Sequence, residues 1–215
     1  VQEMITGLPF SLTLDQQQAV QDIRYDLENP SRMNRLIQGD VGSGKTILAF
    51  IASYMNFLSG YQTAFMVPTE ILATQHYQKA KEILEPYNMN VALLTGKLKA
   101  SEKKQIQKDI AEGKINLVIG THALISEKVI YHNLGLVITD EQHRFGVQQR
   151  RELKNKGLTP DILYMSATPI PRTYALTIYG DMEVSNIKTR PMGRKEIETL
   201  LFSEKQLKEV LTRMY

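Results

Sequence analysis

Eight residues, Gly39-Asp-Val-Gly-Ser-Gly-Lys-Thr46, limit what this chain can fold into more than any other stretch. They match G-x-x-x-x-G-K-[ST] and follow the apolar pair Leu36-Ile37. A strand that feeds such a loop and then a helix is a phosphate-binding site. Gly39, Asp40, Val41, Gly42, Ser43 and Gly44 would curl backbone N–H groups around phosphate oxygens, and the next helix would add its positive N-terminal end. Lys45 supplies a cation and Thr46 a hydroxyl for Mg²⁺. The bland alternative is a glycine-rich turn between a strand and a helix. The nearly all-apolar run from Ile47 to Leu58 favours the phosphate loop, because it is the buried helix that the motif requires.

The rest of the chain alternates short β-rich runs with helical patterns. The runs are 63–67, 91–95, 115–119, 134–138 and 162–165, and helices are expected at about 70–86, 100–112, 147–155 and 171–179. Hydrophobicity is continuous within the strands rather than alternating, so both sheet faces are covered, which means a mostly parallel sheet in an α/β layer fold. Ligands of such sheets bind at the C-terminal strand ends. Residues of chemical interest do follow the apolar runs: Thr69 after Val67, Gly96 after Thr95, Thr121 after Ile119, Asp140 and Glu141 after Ile138, Ser166 and Thr168 after Met165. Near 188–193 the pattern breaks into a basic connector. A strand at 197–202 and a helix at 204–215 then read as the truncated start of a second domain.

Composition excludes several classes. The chain has no cysteine, so disulfides and thiolate metal sites are excluded, and its four scattered His give no zinc-ligand spacing, so the one metal implied is Mg²⁺. A net charge of +3 permits a polyanionic partner without demonstrating one. The longest apolar stretch falls short of the roughly 18 residues of a membrane span, as expected of a soluble, cytoplasmic protein. There is no initiator Met and no signal-like stretch at Val1, as expected of a piece of a longer protein.

Asp140-Glu141 supplies what the phosphate loop lacks. Asp140 can hold Mg²⁺ while Glu141 orients and deprotonates an attacking water. In this order, Gly39–Thr46, Asp140-Glu-Gln-His143 and Ser166-Ala-Thr168 resemble motifs I, II and III of superfamily 2 helicases. The longer stretches Gln38–Thr46, Asp140–Arg150 and Met165–Thr173 are similar to the RecG family of branch-migrating DNA helicases. The resemblance covers about residues 8–195. The transcription–repair coupling translocases are the near relatives, but typically carry Glu where this chain has Gln142. DEAD-box RNA helicases are less similar, since positions 142 and 143 would be Ala and Asp.

The resemblance implies a three-layer RecA-like P-loop domain over 1–190, with 191–215 as linker and start of a second RecA-like domain. It implies ATP with Mg²⁺, branched or forked DNA as partner of the intact protein, and a role in recombination, repair and replication-fork rescue. Phe10–Gln16 is similar to the Q-motif region, in which Gln16 reads the adenine edge; the alternative is a solvent-facing Gln in a run of three. Thr69, Gly96 and Thr121 would hold the DNA backbone, or cap helices. His143, Ser166 and Thr168 would couple the γ-phosphate to the DNA-facing loops. Arg172 is aimed at DNA or at a carboxylate within the fold. The lysines at 97, 99, 103 and 104 read as solvated.

No Q-x-x-G-R-x-G-R pattern is present, so the arginine fingers of a second motor domain are expected elsewhere in the parent. The 215 residues alone are therefore expected to be weakly active or inactive. Two readings stand beside the helicase: a duplex translocase of the transcription–repair coupling type, and a nucleotide-gated module that binds a partner.

Overall fold

Fully apolar strands have to be covered on both faces, and the sheet shows how. In the computed structural model, which describes residues 1–140, 159–168 and 182–189, seven strands form one sheet. They are β1 Asn34–Gly39, β2 Gln62–Met66, β3 Val91–Leu94, β4 Leu117–Gly120, β5 Leu134–Asp140, β6 Asp161–Ser166 and β7 Glu183–Ile187. Their order is β3-β4-β2-β5-β6-β1-β7, and every neighbouring pair is parallel. The helices are α1 Gln2–Thr6, α2 Leu14–Glu28, α3 Lys45–Leu58, α4 Glu70–Leu84 and α5 Ala100–Ala111.

Alternate strand residues feed two cores. Ile37, Phe65 and Ile138 pack with Ile23 of α2, Phe50 of α3 and Leu84 of α4. Leu36, Ala64 and Val137 face the other way, against Ile110 of α5, Leu124 and Tyr131. The result is the expected three layers. Phe50 and Phe65, both fully buried, meet edge to face at 6.3 Å, and burying each contributes roughly 1.5–3 kcal/mol. At the N-terminal edge, buried Gln62 ties three segments together. Its Nε2 donates to the carbonyls of Ile110 and Ile115, and its Oε1 accepts from Asn133 N–H. No helix among the described residues is long and apolar enough to cross a membrane.

Strand β7 is missed by the sequence pattern, as are helices α1 and α2. Glu183-Val-Ser-Asn-Ile187 carries only two apolar side chains, as suits a strand that among the described residues lies at the sheet edge, paired with β1 alone. A polar network docks it. Arg35 on β1, 7% exposed, grips both carboxylate oxygens of Asp26 on α2 and donates to Ser185 Oγ on β7 at 2.8 Å. Ser185 in turn donates to Asp22 at 2.8 Å. The helices expected at 147–155 and 171–179, and the elements expected beyond 190, lie outside the described residues.

Because buried Arg35 neutralises half-buried carboxylate on behalf of three elements, Arg35→Ala leaves Asp26 without its partner. The expected loss is about 3 kcal/mol of unfolding free energy, read as a lower urea midpoint. A loss under about 0.5 kcal/mol, the range of ordinary surface substitutions, would contradict this role.

Candidate nucleotide and nucleic-acid site

Strands β5, β6 and β1 are adjacent, so their C-terminal ends bring three distant segments together. Asp140 closes β5 opposite Met165, and Ser166 closes β6 opposite Gln38. With neighbouring strands about 4.8 Å apart, the start of the phosphate loop and Asp140 stand on either side of the β6 tip. One cleft of about 450 Å³ opens there, lined by Gln16, Gly44, Lys45, Thr46, Asp140 and Ala167 among others. Five stretches of sequence, from residue 10 to residue 167, thus share one cleft.

The loop has the backbone that the motif requires. Gly42 and Gly44 have φ of 80° and 85°, the left-handed region that favours glycine. Gly44 carries a second constraint, since a Cβ there would collide with Gln16 Nε2. Gly39 is pinned differently: a Cβ would lie 2.7 Å from both Ile187 O and Ser43 Oγ. Lys45 opens α3 and turns its ammonium back across the loop, donating to the carbonyls of Gly39 and, at 2.9 Å, Asp40. Partial burial pushes the Lys45 pKa down, while the carboxylates of Asp140 and Asp40 oppose that shift. Thr46 and Asp140 offer hard oxygen donors on the same cleft, the donor type that Mg²⁺ takes alongside phosphate oxygens.

Gln16 is 2% exposed, which overturns the solvent-facing alternative. Its Oε1 accepts from Thr13 N–H at 2.9 Å and its Nε2 donates to Ser43 O at 2.8 Å. Together with Thr13 Oγ1 accepting from Gln16 N–H, this forms a capping box that starts α2 and at the same time props the phosphate loop. Each amide atom retains one further hydrogen-bonding position, and the side chain lines the cleft. Phe10, 45% exposed, lines the cleft too.

Strands β3, β4 and β2 form the other half of the same edge and lead into three of the four residues expected to contact nucleic acid. Thr69 is the N-cap of α4, its hydroxyl accepting from Leu72 N–H at 3.3 Å. Gly96 follows β3, where a Cβ would lie 2.7 Å from the Glu70 carboxylate. Thr121 follows β4 and precedes a short 3₁₀ turn without capping it through its side chain. The lysines expected to be solvated are partly engaged. Lys103 donates to Gly96 O at 2.6 Å, and Lys97, 84% exposed, is 3.8 Å from Glu70.

The two halves meet at a residue whose role the sequence did not reveal. His76 Nε2, on α4, lies 3.3 Å from Asp140 Oδ2, and its ring stacks on Phe65 at 5.3 Å. The contact orients one oxygen of the Asp140 carboxylate, which lines the cleft. Nothing local in the sequence announces this contact, since Asp140 lies 64 residues beyond His76. Ser166 folds onto Thr168, its Oγ accepting from Thr168 N–H at 3.2 Å and lying 3.0 Å from Thr168 Oγ1. Glu141, His143 and Arg172 lie outside the described residues.

Gly44→Ala tests the packing of loop on helix. The strained φ and the displaced Gln16 are expected to cost about 2 kcal/mol of stability and to weaken nucleotide binding, measured by thermal unfolding and nucleotide titration. Neither quantity should survive unchanged.

Comparison with known proteins bears on the same residues. The model of the DEAD/DEAH box helicase family matches residues 13–177. The chain is 56% identical over 216 aligned positions to the ATP-dependent DNA helicase RecG of Aquifex aeolicus (strain VF5), covering 100% of this chain and 27% of that protein. It is 52% identical to RecG of Bacillus subtilis (strain 168), covering 95% of this chain and 32% of that one. A solved structure of RecG bound to a three-way DNA junction superposes with a TM-score of 0.87 at 50% identity, covering 99% of this chain and 28% of that one. The helicase MrfA bound to DNA, at 16% identity and a TM-score of 0.66 over 88% of this chain, shows the fold alone. The chain thus spans about a third or less of the curated relatives it matches. With its phosphate loop, carboxylate strand tip and six of the seven parallel strands inside the matched region, the chain belongs to the DEAD/DEAH box helicase family and resembles RecG helicases over its whole length.

Proposed function

We propose that these residues are the ATP-binding motor domain of a branch-migrating DNA helicase, acting on branched or forked DNA in recombination, repair and fork rescue in the cytoplasm. The observation that carries the proposal is the single cleft in which Gln16, Lys45, Thr46, Asp140 and Ala167 converge. It lies on the same sheet edge as Thr69, Gly96 and Thr121. That a RecG at 50% identity binds a three-way DNA junction supports the choice of partner. Residues 1–190 form this motor domain, and 191–215 are the linker and the start of the next.

Each residue has a distinct task. The loop N–H groups from Gly39 to Thr46 cradle the β- and γ-phosphates, and Lys45 exchanges its carbonyl partners for phosphate oxygens. Gln16 offers its remaining amide positions to adenine. Thr46 and Asp140 would hold Mg²⁺, whose chemistry there is neutralisation of phosphate charge. Glu141 takes the proton from the attacking water. His143, Ser166 and Thr168 relay phosphate occupancy to the DNA-facing loops, where Thr69, Gly96, Thr121 and Arg172 hold backbone phosphates without reading sequence.

Two experiments on the intact protein test this. ATP hydrolysis is expected to rise with duplex DNA and most with a synthetic fork. Lys45→Ala and Glu141→Gln are each expected to lower the stimulated rate by about a hundredfold or more. Hydrolysis indifferent to every DNA would refute the choice of partner while leaving the phosphate chemistry standing. Fork affinity is also expected to fall steeply between 50 and 200 mM salt, about tenfold or more, as phosphate contacts demand. A flat salt response would remove DNA phosphate from the account.

A further inference from the structure

Asp15 sits in the first turn of α2, where an acidic side chain ordinarily serves the positive helix end. Here its carboxylate reaches to the exit of β7 instead. Oδ2 alone accepts three hydrogen bonds, from Lys188 N–H at 2.8 Å, Thr189 N–H at 2.7 Å and Thr189 Oγ1 at 2.8 Å. These bonds hold the Asp15 carboxyl below the ordinary carboxylate range, the Thr189 N–H contributing most.

The contact closes a ring around the phosphate loop. Gly39, the first residue of the loop, pairs with Ile187, the last of β7. One and two residues further on, the chain is caught by Asp15. The next residue after Asp15 is Gln16, whose amide holds Ser43 O inside the same loop. Residues 188 and 189 are therefore linked to the loop twice: through the β1–β7 pairing, and through the Asp15-Gln16 dipeptide.

We propose that Asp15 is a positioning residue that sets the path by which the chain leaves β7 and, through Gln16, ties that path to the phosphate loop. The proposal rests on the motor reading above, in which the chain beyond 190 leads to the second motor domain. A triphosphate held by the loop therefore bears, through Ser43 O and the Gln16 amide, on the turn that carries Asp15. Because one oxygen takes two successive peptide N–H groups, the direction of the exit is fixed rather than merely its position.

The test uses the intact protein as wild type, Asp15→Ala and Asp15→Asn. Asn keeps an acceptor oxygen at Oδ1 and loses the charge, which separates the latch from a helix-end charge. Amide hydrogen exchange at 188 and 189 is expected to be slow in wild type and Asn, and at least about tenfold faster in Ala. Nucleotide affinity of Ala should stay within about threefold of wild type while its DNA-stimulated kcat falls about tenfold, with Asn restoring most of it. Unchanged exchange in Ala would overturn the proposal. So would an Asn variant as impaired as Ala, or equal losses of affinity and kcat that track a lower Tm. If wild-type hydrolysis ignored DNA, the motor reading would fail, and exchange at 188 and 189 would still decide whether Asp15 fixes the exit.

Discussion

Everything at this site depends on β1 being hydrogen-bonded on both sides. Strands β6 and β7 flank it in parallel, in register up to Gln38 and Gly39. The phosphate loop therefore starts from a point that cannot shift without breaking two ladders. A flexible loop would pay the ordering entropy each time it closed on phosphate. Here the entry is fixed by β1, the exit by α3, and the middle by Gln16 holding Ser43 O. Gly44 can approach Gln16 only because it has no side chain. The glycines thus serve packing as well as phosphate access.

A parallel sheet then does the rest of the assembly. All strands point the same way, so every strand tip that follows an apolar run reaches the same edge. The order β3-β4-β2-β5-β6-β1-β7 divides that edge into a nucleotide half and a half bearing Thr69, Gly96 and Thr121. Strands β2 and β5 adjoin, and the His76–Asp140 contact crosses the boundary between the halves. α4 is capped by Thr69 and carries His76 two turns later, so one helix spans from the expected DNA backbone contact to the expected Mg²⁺ carboxylate. Coupling of two sites requires such a physical connection between differently bound states.

The sequence revealed whatever was local or periodic. The phosphate loop is a contiguous motif, and the five apolar runs became β2 to β6 within about two residues. Asp140 was legible because a carboxylate ends an otherwise apolar strand. What stayed hidden was pairing over long separations and burial of polar side chains. Strand β7 is polar because it lies at the edge, so it shows no hydrophobic run. Gln16 looks like one of three equivalent glutamines until its Nε2 is seen on Ser43 O, 27 residues away. Nothing in the sequence singles out Asp15, whose partners lie 173 and 174 residues on. Thr69 was open between DNA contact and helix cap, and its hydroxyl is engaged as a cap.

The central claim is that nucleotide and DNA occupy two halves of one sheet edge and sense each other. The measurement that reaches it most directly is the affinity of the intact protein for a forked DNA with a non-hydrolysable triphosphate, with the diphosphate and with neither. Coupling of the usual size predicts affinities that differ by about 5- to 150-fold between nucleotide states, with the same factor returned on nucleotide affinity when DNA is bound. Three identical affinities would contradict the account, because a motor domain whose two halves ignore each other cannot convert hydrolysis into movement.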